Sequence, residues 1–370
     1  MSGLILAVET SCDETAVAVV REGRRIVSSV VASQVALHSA TGGIVPEVAA
    51  RAHLRWMIPV LDEARGQAGV DDWSSLEAVA VTEGPGLAGS LLVGITMAKT
   101  LAWVHGLPLV PVNHLEGHIY AAWLLDPGEP DRPPPEFPLV ALVVSGGHTF
   151  LVEMADHLRY RLLGQTVDDA AGEAFDKVGR LLGLPYPGGP AIMHAAAGAE
   201  PHERRFPRAW LGDSFDFSFS GLKTAARREV ARELGADPEA GPPAGNGHSL
   251  PPSTVAELAD AFQESVVDVL TRKTLRAARE SGARTIILGG GVAANSVLRE
   301  RVAAGAQELG VPLVVPRPGL CTDNAAMIGA AGFFRARAGA RAGRDLGARP
   351  SLKLALPEPA SPEPAVPETA

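Results

Sequence analysis

The 370-residue chain is short of cysteine, lysine, long apolar runs and positive charge. Two cysteines, Cys12 and Cys321, cannot form a disulfide framework, which excludes a stapled secreted fold and fits a reducing compartment. Lysine supplies only five of the 33 basic residues, and arginine the other 28. No stretch reaches the roughly 18 uninterrupted apolar residues of a membrane span. The apolar run Leu4–Val8 ends at Glu9 and has no basic flank, so it is too short for a secretory signal. A soluble, cytoplasmic protein without membrane contact is the expectation. The formal charge of −9, taken over the whole chain, argues against a nucleic-acid partner, because phosphate binding is driven by Lys and Arg.

Hydrophobic residues make up 46% of the chain, and its length suits two domains. Short apolar runs at Leu4–Glu9, Thr15–Val20 and Arg25–Val31 predict an antiparallel meander. Helical periodicity over Val48–Ala64, a buried strand at Leu76–Val81, a helix at Leu91–His105 and a strand at Leu109–Val112 follow. The order recurs. Leu139–Val144, Thr149–Met154 and Leu158–Leu163 read as strands and Val167–Leu182 as a helix. A helix at Val255–Ser281, a strand at Thr285–Leu288, a helix from Asn295, a strand at Pro312–Val315 and a helix from Asp323 complete it. Two βββαβα units predict a duplicated α/β fold with a cleft between the halves. Three segments have little to bury and are expected to be extended or disordered: Asp126–Pro138, a Pro/Gly-rich insertion at 235–253, and a tail at 343–370.

Several motifs have both a chemical and a plain reading. Gly84-Pro-Gly86-Leu-Ala-Gly89 matches the dinucleotide fingerprint, but no acid lies between Glu83 and Glu116 to hold a ribose, so close approach of backbone is the better account. His114 and His118, four residues apart behind a capping Asn113, put two imidazoles on one helix face, a spacing that suits a metal and also arises by chance. A peptidase needs Glu directly after the first histidine; Glu116 sits on another face. Ser145-Gly-Gly-His-Thr149 and Gly289-Gly-Gly-Val-Ala-Ala-Asn295 each end a strand in glycines. They read as anion-binding backbone turns or as plain turns. Cys321-Thr-Asp-Asn324 opens the last helix, where Thr or Asp serves as a cap, or the aspartate completes a His/His/Asp metal set.

Taken together, Glu9–Thr15, Gly42–Val48, Gly84–Gly94, Asn113–His118, Val144–Thr149, Phe215–Lys223, Gly289–Asn295 and Cys321–Asn324 resemble, in order, the TsaD family. These are tRNA adenosine threonylcarbamoyltransferases, known under an older name as O-sialoglycoprotein endopeptidases. The resemblance runs from about Leu4 to Gly332. It implies the duplicated actin-like, sugar-kinase-like (ASKHA, RNase H-like) fold. The first lobe would be 1–112 completed by 311–342, and the second 113–310. It implies transfer of the threonylcarbamoyl group of L-threonylcarbamoyl-adenylate to the exocyclic amine of the adenosine 3′ of the anticodon, with release of AMP.

Residue by residue, the resemblance implies a divalent metal, Fe(2+) or Zn(2+), on His114, His118 and Asp323. It implies substrate binding by Val144, Ser145, Gly146, Gly147, His148, Asp176, Gly189 and Asn295. Asp13 and Glu14 match acidic residues near the cleft and are candidates for proton transfer. Met193 departs from the family, which often has Asp there. Implied partners are tRNA, the paralogous TsaB and the ATPase TsaE. Two other readings of the same fold are a carbamoyltransferase for a small metabolite and a non-catalytic scaffold paralogue.

The acidic total also hides three basic stretches. Arg204–Arg232 carries seven basic and three acidic residues, Arg272–Arg301 seven and two, Arg335–Arg349 five and one. Each is either a solvated helix face or an RNA footprint, and with tRNA as substrate at least one is expected to line its path.

Overall fold

The computed structural model describes residues 3–39, 43–239 and 250–354. The first unit runs β1 (Leu4–Glu9), β2 (Glu14–Arg21), β3 (Arg25–Ser33), the short α1 (Val35–Ser39), α2 (Pro46–Ala68), β4 (Ala78–Gly84), α3 (Ala88–Val104), β5 (Leu109–Asn113) and α4 (His114–Tyr120). The second runs β6 (Leu139–Val144), β7 (Thr149–Asp156), β8 (Arg159–Gln165), α5 (Ala171–Leu181), α6 (Gly188–Ala196), α7 (Ser220–Glu233), α8 (Pro252–Glu280), β9 (Thr285–Gly289), α9 (Ser296–Leu309), β10 (Leu313–Val314), α10 (Pro318–Cys321) and α11 (Ala325–Arg337).

The sheets are ordered β3-β2-β1-β4-β5 and β10-β9-β6-β7-β8. Counted within each unit, both follow one pattern: strands one to three form an antiparallel meander, and strands four and five join it in parallel beside strand one. This is the duplicated actin-like α/β architecture expected from the sequence. Strands β1, β4, β6 and β9 are buried almost throughout, as parallel strands covered by helices on both faces must be. Within each sheet these strands run parallel, and the turns that follow β1, β6 and β9 line one cleft; ligands of open α/β sheets bind outside such C-terminal ends.

The last helix of each unit leaves its own sequence neighbourhood. Helix α11 packs on β1, β2, β4 and β5, and α4 packs on α11 and also on β6 and β9. The two helices thus meet between the sheets, and their N-termini arrive together at the cleft.

Two segments expected to be loose are ordered. Asp126–Pro138 forms no regular structure beyond its first residues but is tied down by Arg24 and Arg25 to Asp131 and by Arg317 to Asp126. Residues 343–354, assigned to the tail, run along the first sheet. Arg349 N–H donates to Glu83 O at 2.8 Å, and Asn113 Nδ2 donates to Lys353 O at 2.9 Å. Backbone pairing of this kind does not depend on side-chain hydropathy, so composition did not reveal it. Residues 355–370 of the tail and 240–249 of the insertion lie outside the described residues.

Candidate functional site

A cleft of about 320 Å³ opens where the two hairpin turns, α5, α6 and the segment ahead of α11 converge. The strand β1 delivers Glu9 and then the turn that leads to Asp13 and Glu14; β5 delivers Asn113 and the start of α4. Asn113 caps that helix, its Oδ1 accepting from Leu115 N–H at 2.9 Å. This fixes the first turn and with it His114, while His118 follows on the same face.

The ring nitrogen Nε2 of His114 lies 3.5 Å from Asp323 Oδ1, and Nε2 of His118 lies 3.4 Å from the same oxygen. The two imidazoles stand edge to face with centroids 4.7 Å apart. One ligand atom from each of the three residues lies within 4.8 Å of the others, the only such set among the described residues. Two donors held about 2.1 Å from one ion at a tetrahedral angle stand about 3.4 Å apart, so these separations fit a shared cation. His118 adds a second sign: its buried Nδ1 has no hydrogen-bond partner, and its Nε2 meets only Asp323, at 3.4 Å and without hydrogen-bond geometry. A buried polar atom without a partner is uncommon, and a metal ligand is one reason for it.

Electrostatics agree. Burial alone would lower the His114 pKa, but Asp323 and Glu9 outweigh it and raise the value to about 10. Burial likewise works against ionised Asp323, yet His114 and His118 hold its carboxyl well below the usual range. The spot favours positive charge, and a divalent cation meets that demand as a proton does. Cys321 lines the cleft but stays a thiol: burial pushes it up to about 11, and its Sγ donates to Pro316 O at 3.2 Å.

Asp323 is free for this role because it is not the helix cap, nor is Thr322. Asn324 caps α11, its Oδ1 accepting from Met327 N–H at 3.0 Å. The peptidase base is equally unavailable, since Glu116 is buried in a two-oxygen ion pair with Arg335 at 2.8 and 3.0 Å.

Of the residues expected to bind substrate, Ser145, Gly146, Asp176, Gly189 and Asn295 line the cleft together with Asp13, Glu14 and Asp323. Val144 is the buried end of β6, and Gly147 and His148 belong to the same turn without lining it. The turn is closed by Ser145 N–H donating to His148 O at 2.7 Å and His148 N–H to Ser145 Oγ at 3.1 Å. Burial and the two neighbouring histidines push His148 down to about 4, so it is neutral near pH 7. Asp176 Oδ1 accepts from Gly188 N–H at 2.7 Å. Asn295 caps α9 through Leu298 N–H and donates to Gln263 at 2.7 Å, so its amide is largely committed to shaping the wall. Met193 also lines the cleft, with its sulfur 3.8 Å from Ser296 Oγ.

Burial raises the carboxyls of both candidate proton acceptors. Asp13 is raised by burial and by Asp323; Glu14 is pushed to about 7 by burial, although the Ser33 hydroxyl bonded to it at 2.8 Å opposes the shift. Glu14 Oε2 is buried without a partner.

Two residues had no role in the sequence reading. Glu9 is fully buried and bonded to His114 Nδ1 at 3.0 Å. His53 ties the acidic turn to α2, with Thr15 Oγ1 at 2.8 Å from Nδ1 and Cys12 O at 3.1 Å from Nε2. Their partners are 105 and 41 residues away, so no local spacing marks them.

The basic stretches are largely neutralised within the chain. Arg204 pairs with Glu233 and Glu257, Arg208 and Arg272 with Asp268, Arg301 with Glu264, Arg337 with Glu77. Lys273 is buried and donates to the carbonyls of Trp210, Ser214 and Asp216. In the first stretch Arg205 and Arg227 bond only to backbone carbonyls among the described residues.

Residues 25–330 match the family model TsaD, tRNA N6-adenosine threonylcarbamoyltransferase. A protein of that name from Thermomicrobium roseum is 56% identical over 367 residues, covering 95% of this chain and 97% of its own. One from Symbiobacterium thermophilum is 52% identical, covering 96% and 98%. Among solved structures, full-length HypF in its phosphate- and nucleotide-bound form superposes with a TM-score of 0.56 at 13% identity, over 90% of this chain and 46% of that one, a likeness of fold. The chain belongs to the TsaD family of tRNA N6-adenosine threonylcarbamoyltransferases.

Proposed function

We propose that the cleft binds L-threonylcarbamoyl-adenylate and passes its threonylcarbamoyl group to N6 of the adenosine 3′ of the anticodon, in cytoplasmic tRNA. In that step N6 bonds to the carbamoyl carbon, the carbon–oxygen bond to phosphate breaks, AMP leaves, and N6 gives up a proton. The observation that carries the reading is Asp323, which lines the cleft together with two glycine turns and has the buried His114 and His118 at 3.5 and 3.4 Å behind it.

An Fe(2+) or Zn(2+) ion, one per chain, held by His114, His118 and Asp323 would supply Lewis acidity toward the donor's phosphate, carboxylate or carbonyl oxygens. Gly146, in the Ser145–His148 turn, and Gly291 offer backbone N–H groups to the phosphate. Asp176, Gly189 and Asn295 form the wall that meets the nucleoside, with Met193 leaving an apolar patch in it. Glu14, titrating near neutrality with an unpartnered oxygen, accepts the N6 proton, with Asp13 beside it. The same reading divides the chain into a first lobe, 1–112 with 311–342, and a second, 113–310; the packing of α11 on the first sheet supports the return of 325–337 to the first lobe, whereas β10 pairs with β9 and stays with the second. The paralogous TsaB and the ATPase TsaE belong to it as partners. Helix α2 leaves Leu54 and Ile58, one turn apart, 67% and 51% exposed, an apolar face that a fold-mate would cover.

The test is transfer of label from carbamoyl-labelled threonylcarbamoyl-adenylate, with and without TsaB and TsaE. Label in tRNA adenosine supports the reading. Label only in small acceptors, or none with metal and partners present, contradicts it.

A further inference from the structure

Glu9 closes β1 with its side chain fully buried, a costly place for a carboxylate unless each oxygen is satisfied. Both are. Oε1 accepts from Ser11 N–H, and Oε2 accepts from Thr82 Oγ1–H at 2.7 Å and faces His114 Nδ1 at 3.0 Å. The Ser11 hydroxyl lies 3.2 Å from the same ring nitrogen. A carboxylate has no proton to give, so Nδ1 keeps its hydrogen, and Nε2 is the nitrogen that would give up its proton and offer a lone pair to a cation. That is the nitrogen turned toward Asp323. His118 has no such anchor, because its Nδ1 is without a partner.

We propose that Glu9 is the positioning residue of the metal site: it fixes the tautomer and ring angle of His114 and makes Nε2 a stronger donor. The arrangement is a carboxylate–histidine pair behind a ligand atom, and removing such a partner typically weakens metal binding about 10- to 100-fold. The inference rests on the proposed His114, His118, Asp323 site. The alternatives open to an amide at this position are both poor. With its oxygen toward His114, the amide N–H2 meets the Ser11 N–H. Reversed, it forces the ring hydrogen onto Nε2 and blocks the lone pair.

The experiment is metal affinity of the full chain, stripped and then titrated with Co(2+) against a chromophoric chelator, with the visible spectrum of the bound ion recorded. Wild type, E9Q, T82V and H118A are compared, and the thermal midpoint of each metal-free protein is measured in parallel. The expected result is binding of one ion by wild type, loss of it in H118A, and at least a tenfold weaker site with an altered spectrum in E9Q. T82V, which leaves the carboxylate in place, falls between wild type and E9Q. Affinity and spectrum unchanged in a folded E9Q, with H118A still defective, would overturn the role of Glu9 alone. Equal behaviour of wild type and H118A would overturn the site beneath it. If E9Q does not fold, T82V decides: unchanged affinity and spectrum there also count against the proposal.

Discussion

The turn from β1 to β2 and the turn from β6 to β7 occupy the same place in two sheets of one topology, yet their chemistry is opposite. The first runs from Glu9 to Glu14 and brings two carboxylates, Asp13 and Glu14, to the cleft, with Glu9 buried behind them; the second, Ser145–His148, brings none and contains two glycines. Both turns rest on a glycine that follows from elsewhere in the unit. A Cβ on Gly86 would come within 2.5 Å of Ser11 O, and one on Gly172 within 2.5 Å of Ser145 O. The duplicated frame therefore sets where the two turns lie, and substitution within them has divided the labour. In the proposed reaction the first turn would handle the proton and hold the partner of a metal ligand, and the second would accommodate the anionic donor. The last helices of both units supply the bridge, with His114 and His118 from α4 and Asp323 ahead of α11.

This division can be broken at graded points. Removing the bridge is expected to have the largest effect: H118A or D323A should lower transfer roughly 10³-fold or more, with metal content falling in parallel by elemental analysis. E14Q comes next, at roughly 10²-fold in kcat. Its pH profile carries the sign. Below about 7 the Glu14 carboxyl holds its proton and cannot take another; above, it is ionised. The wild-type rate should climb with pH and level off past about 7, and E14Q should lose that limb. A limb that persists in E14Q would assign it to another group.

G172A and G86A separate the two turns most directly. Shifting the glycine turn should raise the KM for the adenylate donor about tenfold with a smaller change in kcat, whereas shifting the acidic turn should act mainly on kcat. The same KM and kcat pattern from both would dissolve the distinction. The smallest effect is expected from R227E with R228E, a few-fold loss of tRNA affinity with a salt slope lower by about 2. Arg228 is paired to Glu239, so part of its charge is already compensated.

Much of the frame was legible because it is periodic. Alternating apolar strands around short turns at Leu4–Glu9 and Leu139–Val144, and the repeated βββαβα order, exposed the duplication without reference to any ligand. The metal candidates were legible as a pair, since His114 and His118 lie one helical turn apart. Asp323 was legible only as one of two readings, a helix cap or the third member of the set, and the geometry gives the cap to Asn324. Glu9 was invisible for a related reason. At the end of an apolar strand it reads as the point where the strand reaches solvent, whereas Thr82 and His114, brought in by neighbouring strands, keep it buried. The arginine stretches were legible only as a count. Charge summed along the sequence overstates what is free, because Asp268, Glu264 and Glu257, presented by the long α8, pair with Arg204, Arg208, Arg272 and Arg301.

The most direct test strips the metal from the full chain, restores it stepwise, and follows labelled threonylcarbamoyl transfer to tRNA adenosine alongside bound metal. The rate should rise in proportion to occupancy and saturate at one ion per chain, while the H114A/H118A/D323A protein neither binds the ion nor transfers the group. Full transfer by the stripped protein, or by the triple variant, would contradict the account.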